Sequence, residues 1–111
     1  MPLPFPGAAS LSKLYNVKMS NASAEAQRYR ERALQHDSYW ALADESLAET
    51  MLYDALLDKS FLCSKTDLLD ALIRLRDVKV SHKLAHDEAR YQECWRQSID
   101  RLIGDVSQYG D

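Results

Sequence analysis

Apolar residues recur in adjacent pairs, at intervals of four, through the middle of the chain. The apolar set of this stretch is Trp40, Ala41, Ala43, Leu47, Ala48, Met51, Leu52, Ala55 and Leu56. A repeat of this period places side chains on one broad face of an α-helix, as in a bundle core. Upstream, Asn21 and Ser23 are good N-cap residues, so the pattern predicts a first long helix from there to about residue 56. Segment 36–39 is its weak point, and we expect a kink or break near Asp37.

A second long run of apolar positions occupies the second half of the chain. Ser64, followed three residues later by Asp67, resembles a capping box. Gly104 is suited to end a helix. The sequence therefore predicts one long helix over 65–103, with a local distortion over 78–81, where two β-branched valines lie.

The distribution of glycine and proline indicates the fold class. Both are absent between Gly7 and Gly104, whereas a sheet protein needs several tight turns that usually use them. We therefore predict an all-α protein: a long antiparallel helical hairpin, or three helices if the first is broken. Residues 1–20, which begin with three alternating prolines, are predicted as an extended or flexible arm. The hairpin domain is predicted over 21–104, and residues 105–111 are predicted as a C-terminal tail.

Charge favours the same antiparallel pairing. The stretch from Asp37 to Asp58 contains six acidic residues and no basic one. The stretch from Arg74 to Lys83 contains four basic residues and one acidic one. In a hairpin folded about residue 62, the two stretches lie side by side. Exposed ion pairs contribute little stability, so we expect these charges to set the register of the two helices.

Two packed helices bury apolar side chains along one seam, and this chain carries more apolar residues than one seam uses. We therefore predict association into a homodimeric bundle, or docking on an unidentified protein partner. Two binding surfaces are predicted: the N-terminal arm, which is either disordered or docked on its own bundle or on a partner, and an apolar interaction seam. The predicted interaction seam consists of Trp40, Leu47, Met51, Leu52, Leu72, Trp95, Ile99 and Leu102. The predicted function is non-enzymatic and uses no cofactor: an adaptor, a chaperone, an inhibitor or a subunit of a larger assembly.

Composition and charge further narrow the classes of protein to which the chain can belong. The chain has 111 residues and a formal net charge of −3, which suits one small domain and disfavours nucleic acid as the main partner. No apolar run approaches the ~20 residues needed to span a bilayer. The N-terminus lacks the positive and apolar regions of a signal peptide, so we expect a cytoplasmic protein. Cys63 lies in the predicted turn and Cys94 far along the predicted second helix, so the two are too far apart to form a disulfide.

A metal site is the first alternative function. His82 and His86 are four residues apart on the predicted second helix, so they share a face and together can hold a transition metal. In the antiparallel register His86 faces the region of Asp37 and Ser38, and His82 lies near Glu45. Glu45 and Glu49, also four residues apart, supply carboxylates. The hypothesis is therefore a metal-binding helical bundle that uses these four side chains.

A ribonuclease is the second alternative, ranked below the metal site. Arg30 and His36 have an Arg-x5-His spacing on the predicted first helix. This spacing resembles the Arg-x4–6-His motif of the HEPN ribonucleases, which are all-helical bundles. The resemblance implies RNA cleavage with Arg30 and His36 as the polar pair, although the motif lies early in this chain and late in that family.

Overall fold

The computed structural model describes residues 3–58 and 62–110. Four α-helices occupy most of this part of the chain: α1 (Ala8–Ala33), α2 (Tyr39–Asp58), α3 (Lys65–Arg76) and α4 (Glu88–Ser107). Within these described ranges the only β-type pairing is an isolated bridge between Leu3 and Tyr109. The all-α prediction is confirmed for the described part. Of the turn that the sequence predicts over residues 60–64, residues 60 and 61 lie outside the described part.

Helix α1 begins much earlier than predicted. It follows Gly7 directly, so residues 8–20 are helical rather than an extended arm, and Asn21 and Ser23 lie inside a helix. The physical reason is a stripe of buried residues at intervals of four and seven, which starts within the supposed arm. The stripe consists of Leu11, Tyr15, Ala22, Ala26 and Ala33. Its three alanines let α1 approach α2 closely.

The predicted break near Asp37 is confirmed. Helix α1 ends at Ala33 and α2 starts at Tyr39, and the backbone N–H of Tyr39 donates to the carbonyl of His36 at 3.1 Å. The short connection makes the two helices antiparallel. Accordingly, Tyr15 near the start of α1 packs on Tyr53 near the end of α2, with ring centroids 5.2 Å apart.

Helix α2 lies between α1 and α4. A helix in this position is apolar on nearly all sides, which explains the width of the apolar stripe in the sequence. Its buried side chains are Ala43, Asp44, Ser46, Leu47, Ala48, Leu52, Tyr53 and Leu56. Tyr53, one of the apolar residues that suggested a dimer, is buried in this way, whereas Leu42 on the same helix is 40% exposed.

The predicted continuous helix over 65–103 is wrong. Helix α3 ends at Arg76, and residues 77–87 are not helical. The break is wider than the distortion expected over 78–81. Asp87 accepts a hydrogen bond from the backbone N–H of Arg90 at 3.1 Å and so caps α4. The Gln92 side chain holds the irregular segment by accepting from the N–H of Val80 and donating to the carbonyl of Val78.

Of the two predicted ends of this long helix, the N-terminal one is confirmed and the C-terminal one is wrong. Ser64 caps α3, because its hydroxyl accepts from the backbone N–H of Asp67 at 3.1 Å. The C-terminal boundary is wrong: Gly104 is not a C-cap, since α4 continues to Ser107. Part of the predicted tail over 105–111 is therefore helical.

The direction of the second half also differs from the predicted hairpin. Asp44, near the start of α2, contacts the start of α4, whereas Tyr53 and Asp105 line one cavity near the ends of both helices. Helix α4 is thus parallel to α2. Helix α3 runs antiparallel to α4, as shown by the Arg76–Asp100 ion pair at 2.6 Å. Because the second half forms two helices, the chain reverses direction once more. As a result α4 is parallel to α2, whereas the predicted hairpin has an antiparallel pair.

Because the helices are arranged differently, the pairing of charged residues also differs from the prediction. Asp54 of the acidic stretch and Lys79 of the basic block line one cavity, but the ion pairs that α2 makes within the described residues are with α4. Asp44 pairs with Arg90 at 3.1 Å, and Glu45 lies 3.9 Å from Arg101.

Candidate interaction surface

The predicted interaction seam lies inside a single chain. Six of its side chains are buried in the core of the bundle: Leu47, Leu52, Leu72, Trp95, Ile99 and Leu102. Trp40 and Met51 are partly buried. Trp95 also donates its indole N–H to the carbonyl of Leu75 at 2.8 Å. These residues hold the helices of one molecule together, so a charge placed at Leu47 or Ile99 disrupts folding before it reports on association.

Asp44 is the most enclosed charged group of the described chain, with 1% of its surface exposed. Its carboxylate accepts from the backbone N–H groups of His86 and Asp87 at 2.8 and 3.1 Å. It also accepts from the Arg90 guanidinium at 3.1 Å. A buried carboxylate is tolerated where its oxygens are satisfied in this way. Asp44 therefore fixes the end of the irregular segment 77–87, and the start of α4, onto α2.

Beside this carboxylate, the rings of Trp40 and His86 stack with centroids 4.5 Å apart and planes 7° apart. The Arg90 guanidinium lies 3.4 Å from Nδ1 of the same imidazole. The sequence prediction placed His86 opposite residues 37 and 38. The observed neighbour of His86 is Trp40, at the same end of α2.

The four residues of the metal hypothesis are not brought together. His82 and His86 belong to the non-helical segment 77–87, so the shared helical face on which the hypothesis rested does not exist. The His82 ring lies 6.2 Å from that of Tyr91. Glu45 and Glu49 instead lie near Arg101. Among residues 3–58 and 62–110, no three His, Cys, Asp or Glu side chains are placed to hold a metal ion.

Arg30 and His36 are also separated by a change of structure. Arg30 is half-buried on α1, whereas His36 is exposed in the turn that follows. The guanidinium that lies over the Tyr39 ring, 5.7 Å from its centroid, belongs to Arg32 and not to Arg30. That ring also stacks on Tyr29, with centroids 6.1 Å apart. The basic and aromatic residues at this end thus pack on one another across the α1–α2 turn.

A groove separates α1 from α4, because both helices pack on α2 and their described backbones do not pack on each other. We call it the α1/α4 groove. Its cavity, of about 380 Å³, is lined by Leu3, Leu14, Tyr15, Lys18, Leu102, Asp105, Val106, Gln108 and Tyr109. Apolar side chains form the floor and one rim, while a base on α1 and an acid on α4 flank it. The sequence analysis assigned a binding role to residues 1–20 as an arm, but it did not predict the groove that these residues form with α4.

The groove continues into a smaller polar cavity of about 140 Å³. Lys18, Leu102 and Asp105 line both cavities. The polar cavity adds Glu49, and burial raises the pKa of that carboxyl while Arg101 opposes the rise. It also adds Ser98, whose hydroxyl accepts from the Arg101 guanidinium at 3.3 Å. The surface therefore offers an apolar trough beside a small set of paired charges.

Burial also governs the tyrosines packed between the helices. It raises the pKa of Tyr53 and of Tyr91 from 10.0 to about 12. Because the folded pKa is raised, the stability from the neutral phenols is complete below pH 10 and is lost as the pH rises towards 12. We expect alkaline unfolding in this window, followed by circular dichroism together with the absorbance of tyrosinate. Tyrosinate formation by Tyr53 and Tyr91 near pH 10, with helix retained, would contradict this expectation.

The two cysteines lie apart, as predicted. Cys94 is buried on α4, where burial raises the pKa of its thiol, and Cys63 lies before α3. No disulfide joins them. None of the described helices combines the length and hydrophobicity needed to cross a membrane.

Comparison with known proteins yields no relative from which a function could be transferred. No protein-family model, no curated protein and no solved structure matches the chain.

Proposed function

We propose that this protein is a non-enzymatic protein–protein interaction module and that it binds through the α1/α4 groove. The observation that carries the proposal is an apolar rim on α1. Leu14 is 40% exposed and lines the groove, and Val17, one turn further along the same face, is 56% exposed. Leu3, which lines the same cavity, is also exposed. Clustered apolar side chains around a concave surface are typical of a binding site for another protein.

The shape and chemistry of the groove favour a helical ligand. Two helices that flank an apolar trough accept an amphipathic helix, which adds one more member to the bundle. Such a ligand would lay its apolar face over Leu14 and Leu102, and its polar edges would meet Lys18 and Asp105. This binding mode replaces the buried seam as the means of association and keeps the predicted class of function.

Photo-crosslinking from the rim tests the proposal. A benzophenone amino acid at Val17 should give a defined crosslinked product, because that position borders the bound partner. The same probe at Arg74, exposed on α3 and away from the groove, is the matched control.

Two conditions decide the outcome of the crosslinking. The product at Val17 should be competed by unlabelled purified chain, and it should disappear when Leu14→Asp is introduced into the probe-bearing chain. Equal yields from Val17 and Arg74, or a product that survives Leu14→Asp, would refute the groove as a binding site.

A further inference from the structure

We propose that the occupant of the α1/α4 groove is a second copy of this chain, which contributes its own α1 in a two-fold symmetric dimer. This inference rests on the proposed function and names its partner. A two-fold interface uses the same patch on both molecules, so the patch must be complementary to itself. The α1/α4 groove meets this requirement in both shape and charge.

The complementarity in shape comes from two different faces of α1. The stripe that includes Leu11 and Tyr15 is buried against α2. Leu14 and Val17 lie off this stripe, on a second apolar face whose side chains are exposed. The groove offers an apolar surface to this exposed face of α1. Its floor is lined by Leu102 and Val106, two buried residues of α4. One molecule thus presents an apolar ridge, and the second copy presents the α1/α4 groove that receives this ridge.

The complementarity in charge follows from where the two flanking residues lie. Lys18 is on the α1 wall of the groove, one turn beyond Leu14, and Asp105 is on the α4 wall. When the α1 ridge of one molecule enters the groove of the other, Lys18 of each approaches Asp105 of its partner. The two-fold axis generates this pair twice. Charges at the border of an interface act mainly on orientation and specificity, so they would fix the register of the two chains.

A second carboxylate lies beside this charge pair. Glu49 lines the polar extension of the groove together with Lys18 and Asp105. In the dimer, the Lys18 of an incoming α1 therefore approaches an acidic end of the groove.

Sedimentation equilibrium on the purified full chain gives the first test. We expect a species of twice the 12.7 kDa of one chain, and at least about a tenfold weaker association for Val17→Asp. Val17 is exposed, so its replacement should leave the circular dichroism spectrum of the folded chain unchanged, and any fall in melting temperature should depend on protein concentration. Ile73→Asp, an equally exposed position on α3, should leave association unchanged.

A charge-reversal mixture separates contacts between chains from contacts within one chain. Lys18→Glu and Asp105→Lys should each weaken self-association, because each places like charges at both symmetric contacts. When the two variants are mixed, each contact gains an opposite pair, and a heterodimer should form. Within each chain residues 18 and 105 keep like charges, so an intramolecular effect cannot produce this rescue.

The failures of the two proposals are distinguishable. A monomer at every concentration, with a Val17 crosslink to another protein that Leu14→Asp removes, overturns the dimer and leaves the interaction module standing. A dimer that is insensitive to Val17→Asp, with no heterodimer in the mixture, overturns the groove as its interface. A dimer weakened by Val17→Asp and rescued in the mixture supports both proposals.

Discussion

Replacement of Asp44 by alanine is expected to lower the free energy of unfolding by about 1.5–3 kcal/mol, the range for hydrogen bonds to a charged group. The substitution leaves the partly exposed Arg90 guanidinium without its carboxylate. It also removes the acceptor of the backbone N–H groups of His86 and Asp87. These donors belong to exposed or partly exposed residues, so water compensates for part of the loss. The irregular segment 77–87 would lose its attachment to α2, and the start of α4 would lose its position.

Urea denaturation followed by circular dichroism measures this effect, and Asp100→Ala is the matched control. Asp100 also pairs with an arginine, at 2.6 Å, but both partners are exposed. Exposed pairs contribute about 0–1 kcal/mol, so the control should change stability little. Asp44→Asn should fall between the two, since it keeps one acceptor oxygen and loses the charge. Equal losses for Asp44→Ala and Asp100→Ala would show that Asp44 is not the attachment point described here.

Replacement of Ile99 by alanine is expected to lower the free energy of unfolding by about 2–5 kcal/mol. Ile99 is fully buried on α4, in the same core cluster as Leu52 and Leu72. Deleting three of its carbons removes buried apolar surface and leaves a cavity that neighbouring helices fill only in part. The effect should occur within one molecule. It should therefore be the same in the Val17→Asp background, where we expect no dimer.

Ile73→Ala is the control for this second prediction. Ile73 is 57% exposed on α3, and substitutions at such positions usually change stability by no more than about 0.5 kcal/mol. Thermal or urea unfolding at several protein concentrations distinguishes a core residue from an interface residue. If the effect of Ile99→Ala vanished in the Val17→Asp background, Ile99 would belong to an interface between chains, as the sequence first suggested.

The sequence pattern was informative where one helix had one clear periodicity. The repeat over 40–56 defined α2, and the break near Asp37 was visible in residues that favour caps. Helix α1 was missed in its first half because the prolines drew residues 8–20 into an apparent arm. Leu11 and Tyr15 nevertheless continue, at intervals of four and seven, the stripe formed by the alanines of α1. That continuity was the available signal.

The second half shows why periodicity alone was insufficient. An apolar run that is compatible with one helix is equally compatible with two helices joined by a loop that is itself partly buried. What decides between them is a set of polar contacts: the Asp87 cap, the Gln92 side chain and the Asp44 carboxylate. These contacts involve residues far apart in the chain, and only the fold brings them together. Asp44 gave one local hint, an acid in the apolar stripe one turn after Trp40.

From the sequence, the existence of an interaction surface could be predicted, but the groove that forms it could not. The sequence carried an excess of apolar residues, and an interaction surface was a reasonable inference from it. Tyr53 and Tyr91, which contributed to that excess, turn out to be buried within one chain. The exposed remainder includes Leu14 and Val17 on α1, in a segment that had been assigned to the arm. Further exposed apolar residues lie elsewhere, at Leu34, Leu42, Ile73, Val78 and Leu84. Locating it required knowing which face of α1 is covered by α2.

The most direct measurement is a concentration series of amide NMR spectra of the isotope-labelled chain. We expect the concentration-dependent shifts to fall on residues 14–18 of α1 and 102–109 at the end of α4, with those of α3 unchanged. Shifts confined to α3 or to the Trp40–His86 end, or spectra that neither dilution nor Val17→Asp changes at residues 102–109, would contradict the α1/α4 groove as the surface where two copies meet.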